Sequence, residues 1–121
     1  MITSSTARMH SFVQSQILAY LRANARGHEH AIPRHVVMEH ICYAGGDRAF
    51  RKLYEGIGIG SCNDGIFFPI SPADVDFCRD YWTRGYRHEV ARDKVAALLA
   101  ARPELKPRTT VVQGNLFPAG A

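Results

Sequence analysis

One segment of this chain departs from the pattern of everything around it. Residues 56–70 read Gly56-Ile57-Gly58-Ile59-Gly60-Ser61-Cys62, then Asn63-Asp64-Gly65, then Ile66-Phe67-Phe68-Pro69-Ile70. Two β-prone runs around an Asp-Gly turn are the strongest short-range hairpin signal a sequence offers. Elsewhere apolar residues recur at helical spacing. The alternation of glycine and isoleucine in 56–60 has the look of a dinucleotide-binding loop. No helix follows it and no βαβ unit surrounds it, so the hairpin reading prevails. The expected fold class is therefore mainly α with a small β-wing.

Three helices precede the hairpin. Residues 1–10 are polar, small and aperiodic, and are expected to fray. From Ser11 on, Phe12, Val13, Ile17, Leu18 and Leu21 mark a first helix that Gly27 stops in a left-handed conformation. Ala31-Ile32 is a brief extended piece able to pair in a sheet. Pro33 opens a second helix, with Val36, Val37 and Ile41 facing inward and Ala44-Gly45-Gly46 ending it. Asp47 is a suitable N-cap for a short third helix to Glu55, with Phe50, Leu53 and Tyr54 inward and Arg48, Arg51 and Lys52 largely elsewhere. After the hairpin, Ser71-Pro72-Ala73-Asp74 reads as a capping box. It opens one long helix over Pro72 to about Arg102, stopped by Pro103 and about 45 Å long. That length exceeds what so small a core can cover, which raises either a kink at Gly85 or a homodimer through the helix. The organisation expected is a flexible 1–10, a winged helix-turn-helix over 11–70, a long C-terminal helix over 71–103 and a flexible tail over 104–121.

Composition enters as a set of exclusions. The chain has 121 residues, enough for one domain with its own core. No apolar run approaches the length of a membrane span and the start lacks the apolar core of a secretory signal, so a cytoplasmic setting in a host cell is expected. Cys42, Cys62 and Cys78 are odd in number and widely spaced, which reads as buried free thiols. His28, His30, His35 and His40 crowd near Cys42, but no CxxC pair accompanies them. His35 and His40, five apart, point to different helix faces, so no metal is expected. No P-loop, paired-carboxylate or nucleophile motif appears, and neither an enzyme nor a cofactor is expected.

Helix, short strand, helix, tight turn, helix, hairpin is the element order of a winged helix-turn-helix domain. Its third helix presents one face to a DNA major groove while the wing reaches phosphates. Here that helix offers Arg48, Arg51 and Lys52, and Arg34 at the start of the second helix is placed for a phosphate contact. Of the basic residues, seven fall in 1–60 against four acids, and eight in 61–121 against seven acids. The positive excess therefore sits in the half that carries the third helix.

The segments Gly27-His28-Glu29-His30-Ala31-Ile32, Arg48-x-x-Arg51-x-Leu53 and Gly58-Ile59-x-Ser61-x-x-x-Gly65-x-Phe67 together resemble a family of small phage and prophage winged-helix proteins. Members of that family carry a GRExAI segment, an RxxR recognition helix and a GxxIxSxxxGYF wing, followed by a long charged helix. The resemblance spans about residues 11–100. It implies that Arg48 and Arg51 hold the recognition-helix positions and Gly65 the wing turn, with His28 where the family has Arg. In the tail, Gln113-Gly114-Asn115-Leu116-Phe117 resembles the peptide by which bacterial replication and repair proteins dock on the sliding clamp. That resemblance makes Gln113, Leu116 and Phe117 candidate partner-binding residues. The function expected is that of a phage DNA-binding protein, a transcriptional regulator or replication accessory, with double-stranded DNA as its partner. The alternative is an inhibitor or adaptor, such as an anti-CRISPR or other anti-defence factor. It would use the same fold to bind a host protein, either the sliding clamp or a defence-system component.

Overall fold

A computed structural model describes residues 4–107, with side chains from Arg8 onward. Five helices surround one two-stranded antiparallel sheet: α1 (Ser4–Asn24), α2 (Arg34–His40), α3 (Asp47–Tyr54), β1 (Gly60–Cys62), β2 (Gly65–Phe67), α4 (Pro72–Gly85) and α5 (His88–Ala101). Short 3-10 turns follow α1 at His28–His30 and α5 at Pro103–Leu105. The fold is mainly α with a small sheet.

The hairpin sits at the centre of the packing. Gly60 pairs with Phe67, Ser61 with Ile66 and Cys62 with Gly65, so Asn63-Asp64 is the connecting turn. Neither turn residue takes a positive φ; that conformation falls on Gly65, at φ 135°. The free edge of β2 is occupied as well. Ile32 and Ile66 exchange two backbone hydrogen bonds of 2.9 Å, so the extended piece at Ala31-Ile32 pairs as its sequence suggests. Further along, the Gly27 N–H donates to Phe68 O (2.9 Å) and the Phe68 N–H to Ala25 O (2.7 Å). A Cβ on Gly65 would stand 2.1 Å from the Ile32 carbonyl oxygen, so only glycine lets this strand approach so closely.

The core is one cluster. Ile17, Leu21 and Ala25 of α1 and its end, Val37, and Phe50, Leu53 and Tyr54 meet Ile66, Phe67 and Phe68. Ile59, Cys62, Val75, Cys78, Trp82, Ala91, Val95, Leu98 and Leu105 complete it. Pairing of the two C-terminal helices into that cluster corrects the expectation of one long C-terminal helix. Gly85 ends α4, and Tyr86 (φ −136°, ψ 167°) and Arg87 (φ −61°, ψ 152°) turn the chain back on itself. A straight helix would leave Ala91, Val95 and Leu98 in water; the reversal buries all three as α5 packs on α4. The excess length that raised a homodimer is thereby absent.

Five local expectations are also corrected. Residues 4–10 are helical rather than frayed, because Thr6-Ala7-Arg8-Met9 contains no helix breaker; Met9 and Phe12 stay exposed on turns that run past the core. Cys42, at φ 56°, ends α2 ahead of Ala44-Gly45-Gly46. Its N–H donates to Glu39 O and the Tyr43 N–H to Met38 O, the paired bonds of a Schellman cap. Cys42 is exposed, whereas Cys62 and Cys78 are buried as expected. Gly46, not Asp47, caps α3. At α4 the capping box is displaced by one residue: the Asp74 carboxylate accepts the Ile70 N–H (2.9 Å) rather than that of Ser71.

Candidate nucleic-acid interface

In α3 the spacing divides the helix cleanly. Phe50, Leu53 and Tyr54 are buried, while Asp47, Arg48, Arg51, Lys52 and Glu55, at the end of the helix, are exposed on the outer side. Asp47, in the first turn, organises two of the cations. Arg34 on α2 donates from Nε to Oδ1 (3.0 Å) and from Nη2 to Oδ2 (3.1 Å), the two-pronged geometry natural to a guanidinium. Arg51, one turn along α3, lies 3.7 Å from Oδ2. The hydrogen bonds from Arg34 hold the Asp47 carboxyl below its ordinary range, and the same pairing raises Arg34. Both are therefore charged at neutral pH. Arg48 and Lys52 engage no carboxylate among the described residues.

Beside this face runs an open cleft of about 440 Å³ between the end of α3, the hairpin and the α4–α5 pair. Arg34 and Arg51 stand on one wall, and Tyr81, Trp82, Tyr86 and Val90 on the other. Lys94 of α5 bridges the walls. Its Nζ lies 3.3 Å from the Glu55 carboxylate and 4.7 Å from the centre of the Tyr86 ring. Burial raises the Tyr54 phenol, with Arg34 and Arg51 opposing, so it remains a neutral hydroxyl under the cleft.

The structure thus brings Arg34, Arg48, Arg51 and Lys52 to one region of the surface. Gln113, Leu116 and Phe117 lie outside the described residues. Comparison of the chain with protein-family models, with curated proteins and with solved structures finds no match. The chemistry of the surface must speak for itself. Among the described residues no three His, Cys, Asp or Glu side chains gather as a metal site, and no helix is long and apolar enough to cross a membrane. Burial pushes the Cys78 thiol up to about 12 and raises that of Cys62, so both stay protonated at neutral pH and are poor nucleophiles.

Sequence reasoning passed over two groups of residues that shape this region. The first is the clasp behind it. Asp74, only 3% exposed, accepts the Ile70 N–H, the His28 backbone N–H (3.1 Å) and a 2.7 Å bond with the His28 ring. Burial opposes its ionisation, yet those hydrogen bonds outweigh burial and hold the carboxyl below its ordinary value. His28 also stacks on Phe77, with ring centres 4.1 Å apart. The second group is Arg102, which donates to Gly58 O (3.3 Å) and Pro69 O (2.9 Å) and fastens the end of α5 to both flanks of the hairpin. Asp47 and Arg51 stand at i,i+4 spacing, although in the sequence Asp47 reads only as a helix cap. The pairs 28–74, 34–47 and 102–69 had no signal in local spacing.

Proposed function

We propose that this chain is a winged-helix protein that binds duplex DNA, with α3 as the recognition helix. Arg48, Arg51 and Lys52 contact the major groove and Arg34 contacts a flanking phosphate. One observation carries the reading: α3 buries its apolar side completely and turns its three cations outward, with Arg34 aligned beside them by a shared carboxylate. A guanidinium already oriented loses less freedom on binding than a mobile one. The pairing of Ile32 with Ile66, which gives the hairpin a third partner, and the motif resemblance to small phage winged-helix proteins lend support.

The test is binding of a mixed-sequence duplex as a function of salt. Affinity should fall as salt rises, with a log–log slope of about −0.9 for each phosphate neutralised. Reversing two charges, Arg48→Glu with Arg51→Glu, should weaken binding by about 100-fold or more while thermal unfolding is unchanged. A folded chain that binds no duplex at low salt overturns the reading.

A second reading rests on the half-exposed Tyr86 and Val90 at the rim of the cleft and on a hairpin turn, Asn63-Asp64, that carries no cation. In that reading the chain is an adaptor or inhibitor that docks on a host protein. Cleft substitutions Tyr86→Ser and Val90→Ser would then abolish binding of the host protein, whereas Arg48→Glu with Arg51→Glu would leave it unchanged.

A further inference from the structure

Arg34 and Arg51 are tied to Asp47, whereas two of the three arginines gathered around Phe68 have no carboxylate partner among the described residues. Phe68 follows β2 directly, and its ring is 8% exposed. Three guanidinium groups surround it. The central carbon of Arg102 lies 4.0 Å from the ring centre, that of Arg22 5.6 Å and that of Arg26 5.8 Å. Arg102 is therefore within about one screening length, ~10 Å, of each of the other two at ordinary salt.

Their neighbours explain why the cluster is tolerated and what it leaves unspent. Arg22 is in the last turn of α1 and Arg26 follows the helix end, where the carbonyls favour cations. The electron-rich face of Phe68 adds to that attraction. Arg102 is consumed structurally, donating to Gly58 O, Pro69 O and Glu104. Glu104 sits on Arg102, and the buried Asp74 is occupied by His28 and Ile70. Arg22 and Arg26 make no side-chain hydrogen bond and no ion pair among the described residues. Each keeps about five N–H donors for a ligand. Both are exposed, and their heads lie 5.6 and 5.8 Å from the centre of the same ring.

We propose that Arg22 and Arg26, seated with Arg102 around Phe68, form a second phosphate-binding patch that holds nucleic-acid backbone away from the α3 face. The proposal rests on the DNA-binding reading for its ligand, but on different residues for its site. Each of the two guanidinium groups donates to its own backbone phosphate. Arg102 contributes charge and fixes the ring without leaving its carbonyl partners. The patch adds affinity and length of footprint, with no discrimination between sequences.

The experiment compares the salt dependence of duplex binding for the unaltered chain and for Arg22→Gln/Arg26→Gln, with Arg22→Lys/Arg26→Lys as the charge-preserving control. The glutamine pair should reduce the magnitude of the log–log slope by about 1.8, two contacts at about 0.9 each. The lysine pair should keep the slope. Thermal unfolding of each variant reports any structural effect, which would not by itself change the slope. An unchanged slope in the glutamine pair overturns the proposal while leaving the α3 reading intact. A reduced slope there, with full binding retained by Arg48→Glu/Arg51→Glu, supports the patch and overturns α3 as the contact. If the unaltered chain binds no duplex at low salt, both fall. Binding to vesicles of anionic phospholipid that depends on Arg22 and Arg26, with the duplex slope unaffected, would assign the patch to a membrane surface and overturn the proposal as stated.

Discussion

The two sides of α3 differ in the kind of interaction that holds them. Behind it, the sheet is closed by contacts that admit no slack: Gly65 against the Ile32 carbonyl, and the Asp74 carboxylate inside three hydrogen bonds. In front, Asp47, Arg34 and Arg51 meet in solvent, where the ions are half-exposed and water competes for every bond. Buried polar contacts set the shape, because leaving one partner unsatisfied is expensive. Exposed ones set a preferred orientation that a ligand can exchange for its own contacts at little loss.

The sharpest break of this contrast is Gly65→Ala. The added methyl meets the Ile32 carbonyl at 2.1 Å and the residue sits at φ 135°, so strain and overlap combine. Loss of about 3 kcal/mol or more is expected in urea unfolding. A loss below about 1 kcal/mol would mean that the edge pairing of Ile32 is dispensable.

Asp74→Asn comes next. It removes the charge from a carboxylate that accepts two backbone N–H groups and engages the His28 ring, and a loss of about 2 kcal/mol is expected in the same measurement. The pH dependence has a definite sign. The folded pKa lies below the ordinary 3.8, so the contribution is fully present above that value. It disappears as the pH falls below 3.8 toward the folded pKa, because the unfolded chain binds the proton first. Acid unfolding of Asp74→Asn should therefore be shallower than that of the unaltered chain; an identical acid limb would show that the clasp does not titrate with folding.

The smallest effect on stability is expected in front. Arg34→Gln breaks a two-pronged ion pair, yet one exposed to water, and should shift stability by less than about 1 kcal/mol. It should nonetheless weaken duplex binding several-fold, through loss of one phosphate contact. Equal effects on stability and binding would make the Arg34–Asp47 pair a structural element and not part of the interface.

How far the sequence reached follows the same division. Ile17, Leu21, Val37, Phe50, Leu53 and Tyr54 were recognisable as core from spacing alone, because a helix period places them on one side before any partner is known. The hairpin was legible from Asn63-Asp64-Gly65, and the pairing of Ala31-Ile32 from its β-prone brevity. A kink at Gly85 was one of two ways to accommodate the length of the C-terminal helix; the full reversal at Tyr86-Arg87 was not legible, since Gly85 is compatible with a continuing helix. What decides it is the core that α5 reaches by folding back. The end of α2 at Cys42 escaped for a related reason: glycines two residues later were the better local stop, and cysteine seldom takes a left-handed conformation.

At the candidate site, the basic face of α3 was legible because its four-residue spacing is local. The partners of Arg34 and Arg102 were not, nor was the gathering of Arg22, Arg26 and Arg102 over one ring. The amino-acid order by itself determined which faces are apolar, where the hairpin turns and which helix carries the exposed cations. Those properties depend on neighbours within a turn or two. Tertiary structure alone decided which charges are occupied and which are left to meet a ligand. A guanidinium and a carboxylate far apart in the chain become partners only after burial of the core has brought their helices together.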